Sequence, residues 1–199
     1  MNNMYLIMPM LLLIATINYE DRRVAAYKFN NETLRIAVEA WIDNPNKTTR
    51  QYGHISEWDV SAVTDLTNLF LLKDKFNEDI SKWNVENVTS MKGLFAKAES
   101  FNQKISDWNV SKVKNMEAMF AQAYSFNQDI SRWDTKRVKN MSFMFAQAVG
   151  FDQDISEWVI GEDTILEGFD YITNNTWTIE EKPIRIKLRN ALKSYYKFK

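Results

Sequence analysis

Apolar and polar positions recur along this chain with a step of 25 residues. The tetrapeptide Ile-Ser-x-Trp comes five times and places Trp58, Trp83, Trp108, Trp133 and Trp158 at one fixed interval. Other apolar columns keep the same step: Ile55, Ile80, Ile105, Ile130 and Ile155; Phe70, Phe95, Phe120 and Phe145; Phe76, Phe101, Phe126 and Phe151. Residues 101–125 and 126–150 are identical at 15 of 25 positions. A period between about 20 and 50 residues marks an array in which one supersecondary unit stacks on the next. Within residues 76–100, Phe76 to Ser81 reads as a short extended stretch. Val88, Met91, Leu94, Phe95 and Ala98 then follow at the spacing of one helix face. The pattern predicts a right-handed α/β solenoid with one short strand and one short helix per coil.

The flanks divide the rest. Residues 1–27 contain an apolar stretch, Tyr5 to Ile17, interrupted by Thr16 and Pro9. Thirteen residues is short of the roughly 20 that a spanning helix needs. It reads as a membrane contact, an uncleaved signal core or a docking segment. Residues 28–50 form a helical cap. Its helix spans 30–42, starts at Asn30 or Asn31, turns Leu34, Ala37, Val38, Trp41 and Ile42 to one face, and ends at Asn44-Pro45-Asn46. The array occupies 51–158, and 159–199 hold a C-terminal cap and helix. From Pro183 to Phe198, Ile184, Leu188, Leu192 and Tyr195 share a face, and Arg185, Arg189, Lys193 and Lys197 surround it.

Charge sharpens the inside-outside assignment. The column between Ser and Trp reads Glu57, Lys82, Asp107, Arg132 and Glu157, alternating in sign. Stacked in register, each member would sit beside opposite charges, and a slip by one coil would oppose like ones. The Trp column and Phe95, Phe120 and Phe145 are the expected core, and the charge column is the candidate interaction face. Asn77, Asn102, Asn127 and Asp152 are placed to form a ladder at a turn. The net charge of −1 hides an asymmetry: residues 181–199 carry seven bases against one acid, a net +6, so the remainder carries −7. An acidic body with a basic end predicts that the end meets something acidic. Arg185, Arg189, Lys193 and Lys197 are therefore a candidate docking tail.

The unit Phe-Asn-Gln-Asp-Ile-Ser-x-Trp-(x4)-Val-x-Asn-Met-x-x-Met-Phe-x-x-Ala, matched almost throughout by Phe126 to Ala148, resembles the BspA-like leucine-rich-repeat surface proteins. It is most similar to their 25-residue, Mycoplasma-type branch. The resemblance covers about residues 32–158, including the entry Tyr52-Gly53-His54-Ile55-Ser56-Glu57-Trp58. It implies a leucine-rich-repeat-like coil in a non-enzymatic surface, adhesion or interaction protein, with no catalytic residue to carry over. Two departures stand out: there is no cysteine for a lipoprotein anchor, and the array is short.

The chemistry expected is correspondingly plain. Without cysteine there is no disulfide frame, thiolate metal site or cysteine nucleophile. The single histidine, His54, sits at the array entrance and reads as structural. Five glycines do not make the Gly-Gly-x-Gly-x-Asp calcium array, and no phosphate loop or nucleophile elbow occurs. No enzymatic activity, cofactor or metal is expected. Six Asn-x-Ser/Thr sequons, at Asn31, Asn46, Asn87, Asn109, Asn140 and Asn174, follow in part from the repeat itself. Nucleic acid is a poor partner, because the acidic array would repel phosphate. The expectation is a repeat scaffold that docks to other protein subunits through its two ends, at the surface of a cell or a viral particle. The alternative is a membrane-anchored, surface-displayed binding module that uses the charged face.

Overall fold

The computed structural model describes residues 27–170. Two helices open it. Helix α1 spans Asn31–Asp43 and helix α2 spans Pro45–Tyr52, and a 3-10 turn at Ile55–Glu57 leads into the repeats. Asn30 starts α1: its side chain accepts from the Glu32 and Thr33 N–H groups, and the Thr33 hydroxyl oxygen accepts from the Asn30 N–H. Leu34, Ala37, Val38 and Trp41 are buried as the periodicity predicts, while Ile42 is exposed. Asn44-Pro45 ends α1 as the sequence predicts, but a second helix follows at once. Asn44 caps both α1 and α2, and Pro45 occupies the first turn of α2, where its missing N–H is not needed.

The 25-residue units stack as the columns require, but the strand-and-helix coil is overturned. Among the described residues the repeats contain neither an α-helix nor a strand; parallel pairing is confined to isolated bridges such as Ser90–Asn115 and Asn115–Asn140. Where a helix was expected, at 91–98, the chain runs through overlapping turns. The N–H groups of Leu94, Ala96 and Ala98 donate to the carbonyls three residues back, of Met91, Gly93 and Phe95. The intervening N–H groups of Met91, Gly93, Phe95 and Lys97 donate to Asn115, Glu117, Met119 and Ala121 of the next coil. Of the eight N–H groups from Met91 to Ala98, four thus join coils and three close turns, without a regular ladder. Alternation requires left-handed backbone at fixed places: Asn68 and Leu72, Gly93 and Lys97, Ala118 and Gln122, Phe143 and Gln147 all have positive φ.

The expected strand fails for a related reason. Asn77, Asn102, Asn127 and Asp152 do form a ladder, but its acceptors are side chains: Asn77, Asn102 and Asn127 Oδ1 accept from the N–H of the residue 25 later, at 2.8–2.9 Å. Corners then break any extended run. Asp59, Asn84, Asn109 and Asp134 each accept from the N–H two residues on, as do Asp79, Asp129 and Asp154. His54 stands in the column of Asp79, Asp129 and Asp154, and its Nδ1 accepts from the Ser56 N–H at 3.3 Å. Its structural role is thus the corner of the first coil.

The core is columnar. Phe70, Phe95, Phe120 and Phe145 stack at 5.5–5.7 Å, and Phe76, Phe101, Phe126 and Phe151 at 5.8–6.0 Å. All five repeat tryptophans are buried. Each indole N–H of Trp83, Trp108, Trp133 and Trp158 donates to the isoleucine carbonyl of the preceding coil, at 2.8–3.2 Å. A large apolar ring with one donor is thereby buried with that donor satisfied. The sequence loses its period after Trp158, yet the backbone keeps stacking: Met141, Phe143 and Phe145 donate to Ile165, Glu167 and Phe169.

Candidate interaction surface

The charge column lies where the alternation predicts. Each member sits between a buried isoleucine and a buried tryptophan, and Glu57, Lys82, Asp107, Arg132 and Glu157 are all exposed. The alternating ladder closes at one step only. Glu57 and Lys82 meet at 2.6 Å, whereas Asp107 pairs with Lys104 of its own coil at 3.3 Å. The Lys82 hydrogen bond and charge hold the Glu57 carboxyl below its ordinary value, and the same contact raises Lys82. Both groups are fully exposed, so the pair contributes little to stability. Coil register rests on the backbone bonds and the buried columns, not on these charges. The docking-tail residues Arg185, Arg189, Lys193 and Lys197, and the apolar stretch 5–17, lie outside the described residues.

Corner aspartates carry the clearest pH signature. The Ser81 hydroxyl and then the Ser81 N–H hold Asp79 below its ordinary value of 3.8; Ser131 does the same for Asp129, and Ser61 for Asp59. A carboxyl with a lowered folded value contributes stability that is complete above its unfolded value and is lost as pH falls through the folded one. The double variant Asp79→Asn/Asp129→Asn keeps both acceptors, as Asn84 and Asn109 already do at another corner. It is expected to melt slightly below the parent at neutral pH, because the charge-assisted part of each bond is gone, and to lose less on acidification below about pH 4. Melting temperatures at the two pH values check this.

Exposed apolar side chains single out another surface. Tyr27, Ile36, Ile42 and Leu72 lie at the N-terminal end, and Tyr124, Phe143, Val149, Val159 and Ile165 lie in the last three coils. Residues 73–123 expose no large hydrophobic side chain. Leu72 is the extreme case, 61 % exposed and at φ 63. Its column continues as Lys97, Gln122 and Gln147. Beside it lies a groove of about 440 Å³ lined by Trp41, Ile42, Pro45, Leu72 and Phe76 and by the charged residues Lys73, Asp74, Lys75 and Glu78. Lys73 also clamps α1 to the first coil through Glu39, at 2.7 Å. This groove was not anticipated from the sequence. Its one signal was an apolar residue in a column that is otherwise polar.

Among the described residues no cluster of three or more His, Cys, Asp or Glu side chains could hold a metal ion, and no helix is long and apolar enough to cross a membrane. What these features define is a protein of stacked 25-residue repeats with a helical cap and apolar ends. Residues 43–158, more than half of the chain, match the family described as "Mycoplasma protein of unknown function, DUF285", and the chain belongs to it. No curated protein and no solved structure matches the chain.

Proposed function

We propose that this is a non-enzymatic structural or interaction protein, a repeat scaffold that docks to other protein subunits of a larger assembly through its two ends. The observation that carries this reading is the placement of the exposed apolar residues, which are absent from residues 73–123 and lie on either side of that stretch, from the helical cap to Leu72 and from Tyr124 to Ile165. Exposed apolar surface on a polar-rimmed body is the usual mark of a protein contact. Within the family, the repeat motif supports a finer placement among BspA-like surface proteins, and with it a location at the surface of a cell or a viral particle. The other reading, a membrane-anchored binding module using Glu57, Lys82, Asp107, Arg132 and Glu157, draws on the exposure of that column.

Cross-linking mass spectrometry on the protein isolated with its native neighbours separates the two. End docking predicts links from Lys47, Lys73 and Lys75 into one defined protein. Links from Lys82 and its neighbours on the charged face, with none at the ends, would overturn it. Leu72→Gln installs the residue that the third and fourth coils carry in this column. It is expected to change stability by less than about 0.5 kcal/mol, as for an exposed site, while removing the links at the N-terminal end.

A further inference from the structure

Two columns change their chemistry in the last coil. Asp59, Asn84, Asn109 and Asp134 are followed by Val159, and Asp65, Ser90, Asn115 and Asn140 by Ile165. In the earlier coils the first column closes a corner by accepting from the N–H two residues on, and Asp65, Asn115 and Asn140 do the same in the second. Valine and isoleucine cannot accept that bond. They are 51 % and 53 % exposed, so the last coil exchanges a turn-stabilising group for open apolar surface at both places. The same coil is uniformly acidic. Residues 151–170 hold seven acids and no base. Glu157, Glu162, Asp163, Glu167 and Asp170 form no ion pair with another described residue. Arg132 and Arg137 share columns with Glu157 and Glu162, but Asp163, Glu167 and Asp170 follow Val138, Ser142 and Phe145.

A coil with two exposed apolar side chains and seven acids fits a segment that is apolar on one face and basic around it. The chain contains one: residues 183–198, in which Ile184, Leu188, Leu192 and Tyr195 alternate with Arg185, Arg189, Lys193 and Lys197. Residues 171–182 join it to the last described residue, and the 11 of them before Lys182 reach about 36 Å when extended. A short tether of this kind holds its segment at millimolar effective concentration, so a contact too weak between separate molecules is still occupied. We propose that residues 183–198 dock on the outer face of the last coil of the same chain, against Val159 and Ile165, with their bases toward Glu162, Asp163, Glu167 and Asp170. The docked segment covers the C-terminal end as α1 covers the first coil. This goes beyond the scaffold reading and narrows it: Val159 and Ile165 go to the chain's own tail, and the N-terminal groove with Tyr124, Phe143 and Val149 is left to partners.

The test is zero-length carbodiimide coupling of an equal mixture of unlabelled and 15N-labelled full-length protein. Lys187, Lys193 and Lys197 are expected to couple to Glu162, Asp163, Glu167 or Asp170 within a single isotopic species, less so at high salt. The yield should fall to that of the distant Glu32 in the variant Val159→Asn/Ile165→Asn. Where that variant is not folded by circular dichroism, Arg185→Glu/Arg189→Glu serves, since it leaves the lysines to report. Coupled peptides that mix light and heavy chains in the statistical proportion for pairing between molecules would assign the face to a second copy and overturn the proposal. Coupling no richer than to Glu32 would show the face open, and would also overturn it. Failure of end docking to partners leaves either result unchanged.

Discussion

Trp108→Ala is expected to lower the stability of the array by about 3 to 5 kcal/mol, the range for truncating a large buried aromatic side chain. Trp108 is 4 % exposed in the third of five coils and packs against the second. Its ring lies 6.2 Å from that of Phe95, and its Nε1 donates to the Ile80 carbonyl at 3.2 Å. Truncation opens a cavity and leaves that carbonyl with the Trp83 N–H, at 3.1 Å, as its remaining donor. Trp108→Phe separates the two effects. It retains most of the apolar bulk and removes the indole donor, and is expected to cost about 0.5 to 1.5 kcal/mol, since the carbonyl keeps the Trp83 N–H. Because stacked repeats are stabilised chiefly by contacts between neighbours, the loss is felt by the second and fourth coils as well. Urea denaturation followed by tryptophan fluorescence measures it as a fall in midpoint. A midpoint no lower than that of an exposed control such as Lys112→Ala would mean that the tryptophan column does not carry the core.

The columns were legible in the sequence because burial repeats whatever the local backbone does. Trp58 to Trp158 and Phe95, Phe120 and Phe145 are inside, and Glu57, Lys82, Asp107, Arg132 and Glu157 outside, as their spacing alone requires. Conformation within the coil was not legible. Spacings of three, as in Val88, Met91, Leu94 and Phe95, place residues on one side of a helix, but overlapping turns with bonds to the residue three back do the same. The usual warning, glycine at positive φ, is largely missing: Leu72, Lys97, Ala118, Gln122 and Phe143 occupy the left-handed positions. Such positions cost each residue something, and the bonds between coils over-determine them. The strands failed because Asn77, Asn102 and Asn127 supply side-chain acceptors where a ladder would use carbonyls. Helix α2 was hidden by Asn44-Pro45, a pair that stops one helix and starts the next. The apolar ends were missed for a further reason. Ile42, Leu72 and Ile165 look like ordinary core candidates until their columns show them exposed.

Removing the N-terminal edge seal, by Asn31→Ala with Arg35→Ala, is expected to be the other costly change, and to alter association as well as stability. Adjacent coils bond in both directions: the Asn68 N–H donates forward to the Lys92 carbonyl, and the Thr89 N–H donates back to the Thr64 carbonyl. The first coil has no coil before it, so Thr64 N–H and Thr67 C=O lack their regular partners. Helix α1 replaces them with side chains. Asn31 Oδ1 accepts from the Thr64 N–H at 2.9 Å and the Asp65 N–H at 3.2 Å, standing in for the missing carbonyl. Arg35 Nη1 donates to the Thr67 carbonyl at 2.6 Å, standing in for the missing N–H, and its guanidinium lies 3.9 Å from Asp65. Leaving such groups without partners costs about 1 to 3 kcal/mol where they stay shielded from water. Where they are instead reached from outside, the edge becomes a template for another chain. The double variant is therefore expected to melt lower and to sediment with a concentration-dependent increase in mass, while Leu34, Ala37, Val38 and Trp41 still hold α1 in place. Arg35→Lys keeps the charge near Asp65 but not the planar fork, so it should recover only part of the loss. A double variant that melts with the parent and stays monomeric would mean that the buried face of α1, not its side-chain mimicry of a coil, is what ends the stack.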